Sequence, residues 1–174
     1  MFRTARSAKR AAEGMEGGVL CLPRSCEAAI RRHGEEAYPD EACGILIGRT
    51  VSRGVAVVEV RRARNLNTDR ARDRYDLDPL DQLRAEEEAG LAGLAVVGFY
   101  HTHPDHPASA SRTDANLAWP GYHYVICALA QGKPGDLRAW TFRDRGAEPR
   151  ESRVEAEEGR SWRSRCASRP PYGG

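Results

Sequence analysis

Tyr100-His101-Thr102-His103-Pro104 is the stretch of this 174-residue chain where residue type and spacing point to chemistry. A strand alternates its side chains between two faces, so residues i and i+2 point the same way. At the end of an apolar strand, His101 and His103 project together, and two adjacent imidazoles make half of a zinc site. Ten residues separate His103 from Asp114, enough for the chain to fold back and present a carboxylate as third ligand. Such a set leaves the fourth tetrahedral position to water, and open coordination separates a catalytic zinc from a structural one. A water activated there needs a neighbouring carboxylate or imidazole to take its proton. Glu41 stands immediately before an apolar run and can meet that need, although by spacing alone it is one carboxylate among many.

The same residues carry plainer readings. Ser111-x-x-Asp114 is also a capping box opening a helix through Asn116 and Leu117. An isolated H-x-H is usually surface decoration. His106 reads as a substrate-side or solvent residue, and His33 and His123 as structural or exposed. Apolar neighbours make Cys43 a buried, inert thiol rather than a nucleophile. Trp119, beside Pro120, reads as packing.

The elements that must position these residues follow from pattern. Residues 17–22 form a first short strand. From Ser25, read as N-cap, to Tyr38 the apolar spacing is helical and Pro39 ends it. Residues 42–48 and 55–60 are glycine-bounded apolar strands. Residues 61–76 are charged and poorly patterned. Asp78-Pro79 starts a helix to about Ala89 with Leu80 and Leu83 on one face. Strands follow at 94–100, 122–129 and 137–142, with Gly132, Pro134 and Gly135 supplying the last turn. The alternation predicts an α/β or α+β fold, a curved mixed sheet flanked by helices. One domain over 19–145 is expected, between a disordered leader (1–18) and a mobile charged tail (146–174).

Composition excludes several classes. A formal charge of +2 is too small for a dedicated nucleic-acid binder. No window is apolar enough to span a membrane, and the polar N-terminus lacks the apolar core of a secretory signal. The five cysteines include no C-x-x-C pair, so neither a structural zinc ribbon nor a disulfide framework is indicated, and the cytoplasm is the expected compartment.

Taken together, Glu41, Cys43-Gly44, His101-Thr102-His103-Pro104, Ser111 and Asp114 resemble the JAMM, or MPN+, family of zinc metalloproteases. The pattern is a glutamate two residues before Cys-Gly, then His-(Ser/Thr)-His-Pro, six residues, Ser, two residues and Asp, and every position and spacing matches. A weaker match spans about 19–142, and Arg74-Tyr75-Asp76-Leu77-Asp78-Pro79 is similar to the family's bacterial members. The resemblance implies one zinc per chain held by His101, His103 and Asp114, with Glu41 as general acid/base and Ser111 stabilising the oxyanion. It implies a fold similar to cytidine deaminases, although the deaminase signature itself is absent. Some small single-domain members process ubiquitin-like sulfur-carrier proteins after a C-terminal Gly-Gly, so a protein substrate of that kind is expected, adding a strand at a sheet edge. Two alternatives stand beside it: a non-enzymatic scaffold of the same fold, and a zinc amidohydrolase acting on a small molecule. The chain's own Gly173-Gly174 reads as coincidence in a mobile tail.

Overall fold

Glycine-bounded apolar runs become strands, and a computed structural model describes residues 18–157. In chain order these form β1 (Val19–Pro23), α1 (Arg24–Ala37), β2 (Cys43–Val51), β3 (Gly54–Ala63), α2 (Pro79–Leu91), β4 (Ala95–Pro104), α3 (Arg112–Leu117), β5 (His123–Ala130), β6 (Lys133–Thr141) and β7 (Arg150–Glu157). The spatial order is β1-β3-β2-β4-β5-β6-β7, and parallel pairing of β1 with β7 closes the sheet on itself. The pairings β1–β3 and β4–β5 are parallel, while β3–β2–β4 and β5–β6–β7 run antiparallel. The expected mixed, curved sheet is therefore present.

Alternation along the strands divides the core into two clusters. Leu20, Leu22, Leu46, Val57, Tyr100, Val125 and Cys127 pack with Cys26 and Ile30 of α1, and the sheet curls around that helix. Cys43, Ile45, Phe99, Tyr124 and Ile126 occupy the other face, with Ala85 and Ala89 of α2 and Ala115 of α3. His101 and His103 share this second face by strand parity. Gly34 lets α1 approach β4: a Cβ there would lie 2.9 Å from Thr102 Cγ2.

Four expectations are corrected. Residues 150–157 are not tail but strand β7, paired with both β1 and β6. Charge along the segment hides this, because among residues 150–156 only Ser152 is buried. Ser25 does not cap α1: the chain turns from β1 straight into the helix, so Pro23, which has no capping group, holds the boundary. Leu80 and Leu83 are 57% and 51% exposed; α2 instead buries Ala85 and Ala89, small residues that let it lie close to the sheet. Among the described residues, closure also leaves no strand with a wholly free edge, and β3 beyond Ala56 keeps only β2 as its neighbour. The assigned leader lies outside the described residues except at Gly18, as do residues 158–174.

His123 opens β5 fully buried, and neither ring nitrogen finds a partner among the described residues. Burial pushes its pKa down to about 4. The unfolded chain, with histidine near ~6.5, then binds more protons than the folded one, so this term stabilises above about pH 6.5 and is lost as pH falls towards 4. Chemical denaturation at about pH 7.5 and about pH 5 should show a loss of up to about 2 kcal/mol from this group. His123→Leu should flatten that dependence; an unchanged slope would show that the imidazole does not fold in its neutral form.

Candidate active site

The site begins with strand register. Antiparallel pairing sets Cys43 opposite His101. One step outward, Thr102 N donates to Ala42 O (3.0 Å), and Ala42 N donates to the Thr102 hydroxyl (2.9 Å). Beyond this ladder Glu41 lines the same cleft as His103 and acts electrostatically on His101, so a carboxylate sixty positions before His101 arrives near the histidine pair. Thr102, between the two histidines, faces the opposite side and is fully buried. Gly44 next to Cys43 has a steric cause: a Cβ there would meet the Tyr100 ring at 2.2 Å and Arg61 O at 2.3 Å.

On the far side of β4 the chain turns at Pro104 and returns as α3. Ser111 is the N-cap: its Oγ accepts from Asp114 N (3.1 Å), and its own N–H donates to Asp114 Oδ2 (2.6 Å). The capping box is thus real, and it aims the carboxylate at the histidines. Asp114 Oδ1 lies 3.3 Å from His101 Nε2, and Oδ2 lies 3.8 Å from His103 Nε2. The two Nε2 atoms are 3.0 Å apart. His103 Nδ1 sits 2.7 Å from Pro107 O, which fixes it as the N–H donor and leaves Nε2 bare. His101 Nδ1 is buried without a partner among the described residues. These three side chains form the one cluster among the described residues that could hold a metal ion.

The electrostatics suit ligands. Burial would raise the Asp114 pKa, but its contacts with His101 and Ser111 outweigh burial and hold it well below the usual carboxylate range. Burial and the neighbouring His101 push His103 down to about 4, so it is neutral near pH 7. For His101 the lowering effect of burial is overcome by Asp114, and the pKa rises. Burial pushes Glu41 up to about 7, despite the opposing influence of His101.

A cleft of about 320 Å³ opens over this cluster, lined among others by Glu41, Tyr75, His103, His106, Ser111 and Asp114. His101 lies beneath it, 1% exposed. All five residues singled out from the sequence meet here, and His106 stands on the cleft wall apart from the metal-binding cluster. Pattern missed Tyr75, whose ring stacks on His101 (centroids 4.6 Å apart, planes at 27°), and the Thr102 hydroxyl. The similarity noted over Arg74–Pro79 was the one available signal for Tyr75. Elsewhere, His33 is half-buried and contacts Tyr100 Oη (2.8 Å), and burial pushes the Cys43 thiol up to about 12. Trp119 corrects the packing expectation: the residue is 58% exposed, with the Arg145 guanidinium 4.1 Å over its ring and its backbone N–H donating to Tyr124 Oη.

A cleft over a His-His-Asp group that could hold a metal, with a buried glutamate on its wall and a mixed sheet wrapped around a helix, is the arrangement expected of a JAMM-type domain. Residues 23–143 match the family of prokaryotic homologs of the JAB domain. The desampylase of Haloferax volcanii is 34% identical over 119 residues, covering 66% of this chain and 84% of that protein. The CysO-cysteine peptidase of Mycobacterium tuberculosis is 32% identical over 127 residues, covering 72% and 84%. The solution structure of protein DSY2949 from Desulfitobacterium hafniense superposes with a TM-score of 0.70 at 28% identity, covering 80% of this chain and 94% of that one. The chain belongs to the prokaryotic JAB-domain family and, with its peptidase relatives, is a hydrolase.

Thr102 tests the register that brings Glu41 to the histidines. Thr102→Val keeps the shape but leaves the buried Ala42 N–H unpaired, which should cost about 1–3 kcal/mol in chemical denaturation. Thr102→Ser should retain most of the stability. Equal stabilities for Val and Ser would show that the hydroxyl does not hold the strand.

Proposed function

We propose that the chain is a zinc-dependent peptidase with one zinc per chain. In this reading it cuts the bond after the C-terminal Gly-Gly of a small ubiquitin-like sulfur-carrier protein. The observation that carries this reading is the convergence of His101, His103 and Asp114 beneath a cleft whose wall includes Glu41. The donor set is the kind zinc takes, and ligands at ~2.0–2.1 Å in a tetrahedron lie ~3.3 Å apart, close to the 3.0 and 3.3 Å separations here. The names of two relatives, desampylase and CysO-cysteine peptidase, support a protein-conjugate substrate. Four buried cysteines without disulfides support a reducing cytoplasm as the compartment. An amide-cleaving scaffold needs all of these groups, whereas a purely structural one needs none of them.

When held by His101, His103 and Asp114, zinc supplies Lewis acidity that brings the pKa of a bound water towards ~7. Glu41 takes the proton from the attacking water as its oxygen adds to the scissile carbonyl carbon. The same carboxyl returns that proton to the leaving amine as the C–N bond breaks, so one residue serves as base and then acid. Ser111 Oγ already accepts from Asp114 N, and its O–H remains able to donate to the oxyanion.

Two outcomes test these roles. Glu41→Gln should keep its zinc by elemental analysis and lose roughly 10²–10⁴ in turnover, because a proton acceptor goes and no ligand does. Wild-type turnover in that variant would remove Glu41 from the mechanism. Asp114→Ala should lose zinc and activity together, and retained zinc would place the third ligand elsewhere. The substrate is a small ubiquitin-like protein extended past its Gly-Gly by one amino acid, with release read by mass spectrometry.

A further inference from the structure

Asn65 lies just beyond β3, and its side chain uses all of its hydrogen-bonding capacity. Nδ2 donates to Glu41 O (3.2 Å) and to Arg74 O (3.1 Å). Oδ1 accepts from Asn67 N and from Asp76 N (3.0 Å each). An asparagine amide offers two N–H donors and two acceptor lone pairs, so nothing is left over. The partners also fix its orientation: two carbonyls can only meet the NH2 end, and two N–H groups only the oxygen.

The four partners belong to two segments that reach the cleft. Glu41 precedes β2, and both its backbone groups go to the 64–78 connection: its N–H donates to Ala71 O (2.6 Å), and its C=O accepts from Asn65. Arg74 O and Asp76 N flank Tyr75, so Asn65 grips the chain on either side of the ring that stacks on His101. The backbone adds a bridge between Asn65 and Leu77.

We infer that Asn65 is a positioning residue for the reaction: one amide holds both the backbone of Glu41 and the peptide that seats Tyr75 on His101. The inference rests on the peptidase reading for its effect on rate, but not for its effect on geometry. A displacement of about 1 Å at a catalytic group costs on the order of 10² in rate, and the amide controls displacement of that kind.

Asn65→Asp separates positioning from loop folding. An ionised carboxylate accepts only, so it can keep the bonds from Asn67 N and Asp76 N while losing both bonds to carbonyl oxygens. Asn65→Ala loses all four. In the full-length protein, NMR should show the Asn67 and Asp76 amides protected from exchange in Asn65→Asp and unprotected in Asn65→Ala. In both variants the His101 ring protons should shift as Tyr75 loosens, a signal that needs neither metal nor substrate. With zinc bound, kcat should fall by about 10- to 100-fold in both variants while KM changes by less than about 3-fold. Wild-type kcat in Asn65→Asp, or His101 ring signals unmoved in both variants, would overturn the inference. A wild type without turnover but with the expected His101 shifts would sink the peptidase reading and leave the positioning role standing. Should Asn65→Asp fail to fold, the His101 signals and the kcat of Asn65→Ala decide the matter.

Discussion

Antiparallel pairing of β2 with β4 places Cys43 opposite His101, and the site depends on that register. Side chains alternate with a period of two, so a slip of one residue would turn Glu41 away from the histidines and expose the face that carries Ile45 and Phe99. Three local constraints hold the register. Gly44 leaves room for the Tyr100 ring, Thr102 clasps Ala42 through both backbone and hydroxyl, and Gly34 lets α1 press on Thr102. Residues that touch no substrate therefore decide where the carboxylate lies.

The same economy governs charge. Asp114 is held at a helix start by its own capping bonds and faces two imidazoles. One of those imidazoles is kept neutral by burial and by the neighbouring His101, against the raising effect of its bond to Pro107 O. Taking a carboxylate out of water is costly unless it is paired. The cluster therefore gathers one carboxylate and two imidazoles whose charge a cation at their centre would balance.

Much of this could be read from the chain. The i, i+2 histidines at a strand end, the return of Asp114 after a ten-residue interval and most strands followed from periodicity and turn residues. Glu41 is a candidate from its position but is singled out by resemblance, because its place depends on a register that links distant strands. The role of Ser111 comes only through resemblance, because it is indistinguishable from an ordinary cap. β7 escaped because its residues carry alternating charge and bury little. Tyr75 and Asn65 escaped because the 64–78 connection has no period at all; its order comes from side chain to backbone bonds, which leave no repeating mark in a sequence.

Closure of the sheet bears on how the chain is made. β1 comes first among the described strands and β7 last, yet they pair in register from Val19–Arg153 to Pro23–Glu157. During synthesis, β1 emerges early and lacks this neighbour until nearly all the described chain has appeared. Unpaired strand edges invite association with other chains. The closing of this seam is a long-range step, and such contacts slow folding because the intervening chain must first be ordered. Until the β7 segment appears, the edge of β1 that it covers has no partner among the described strands.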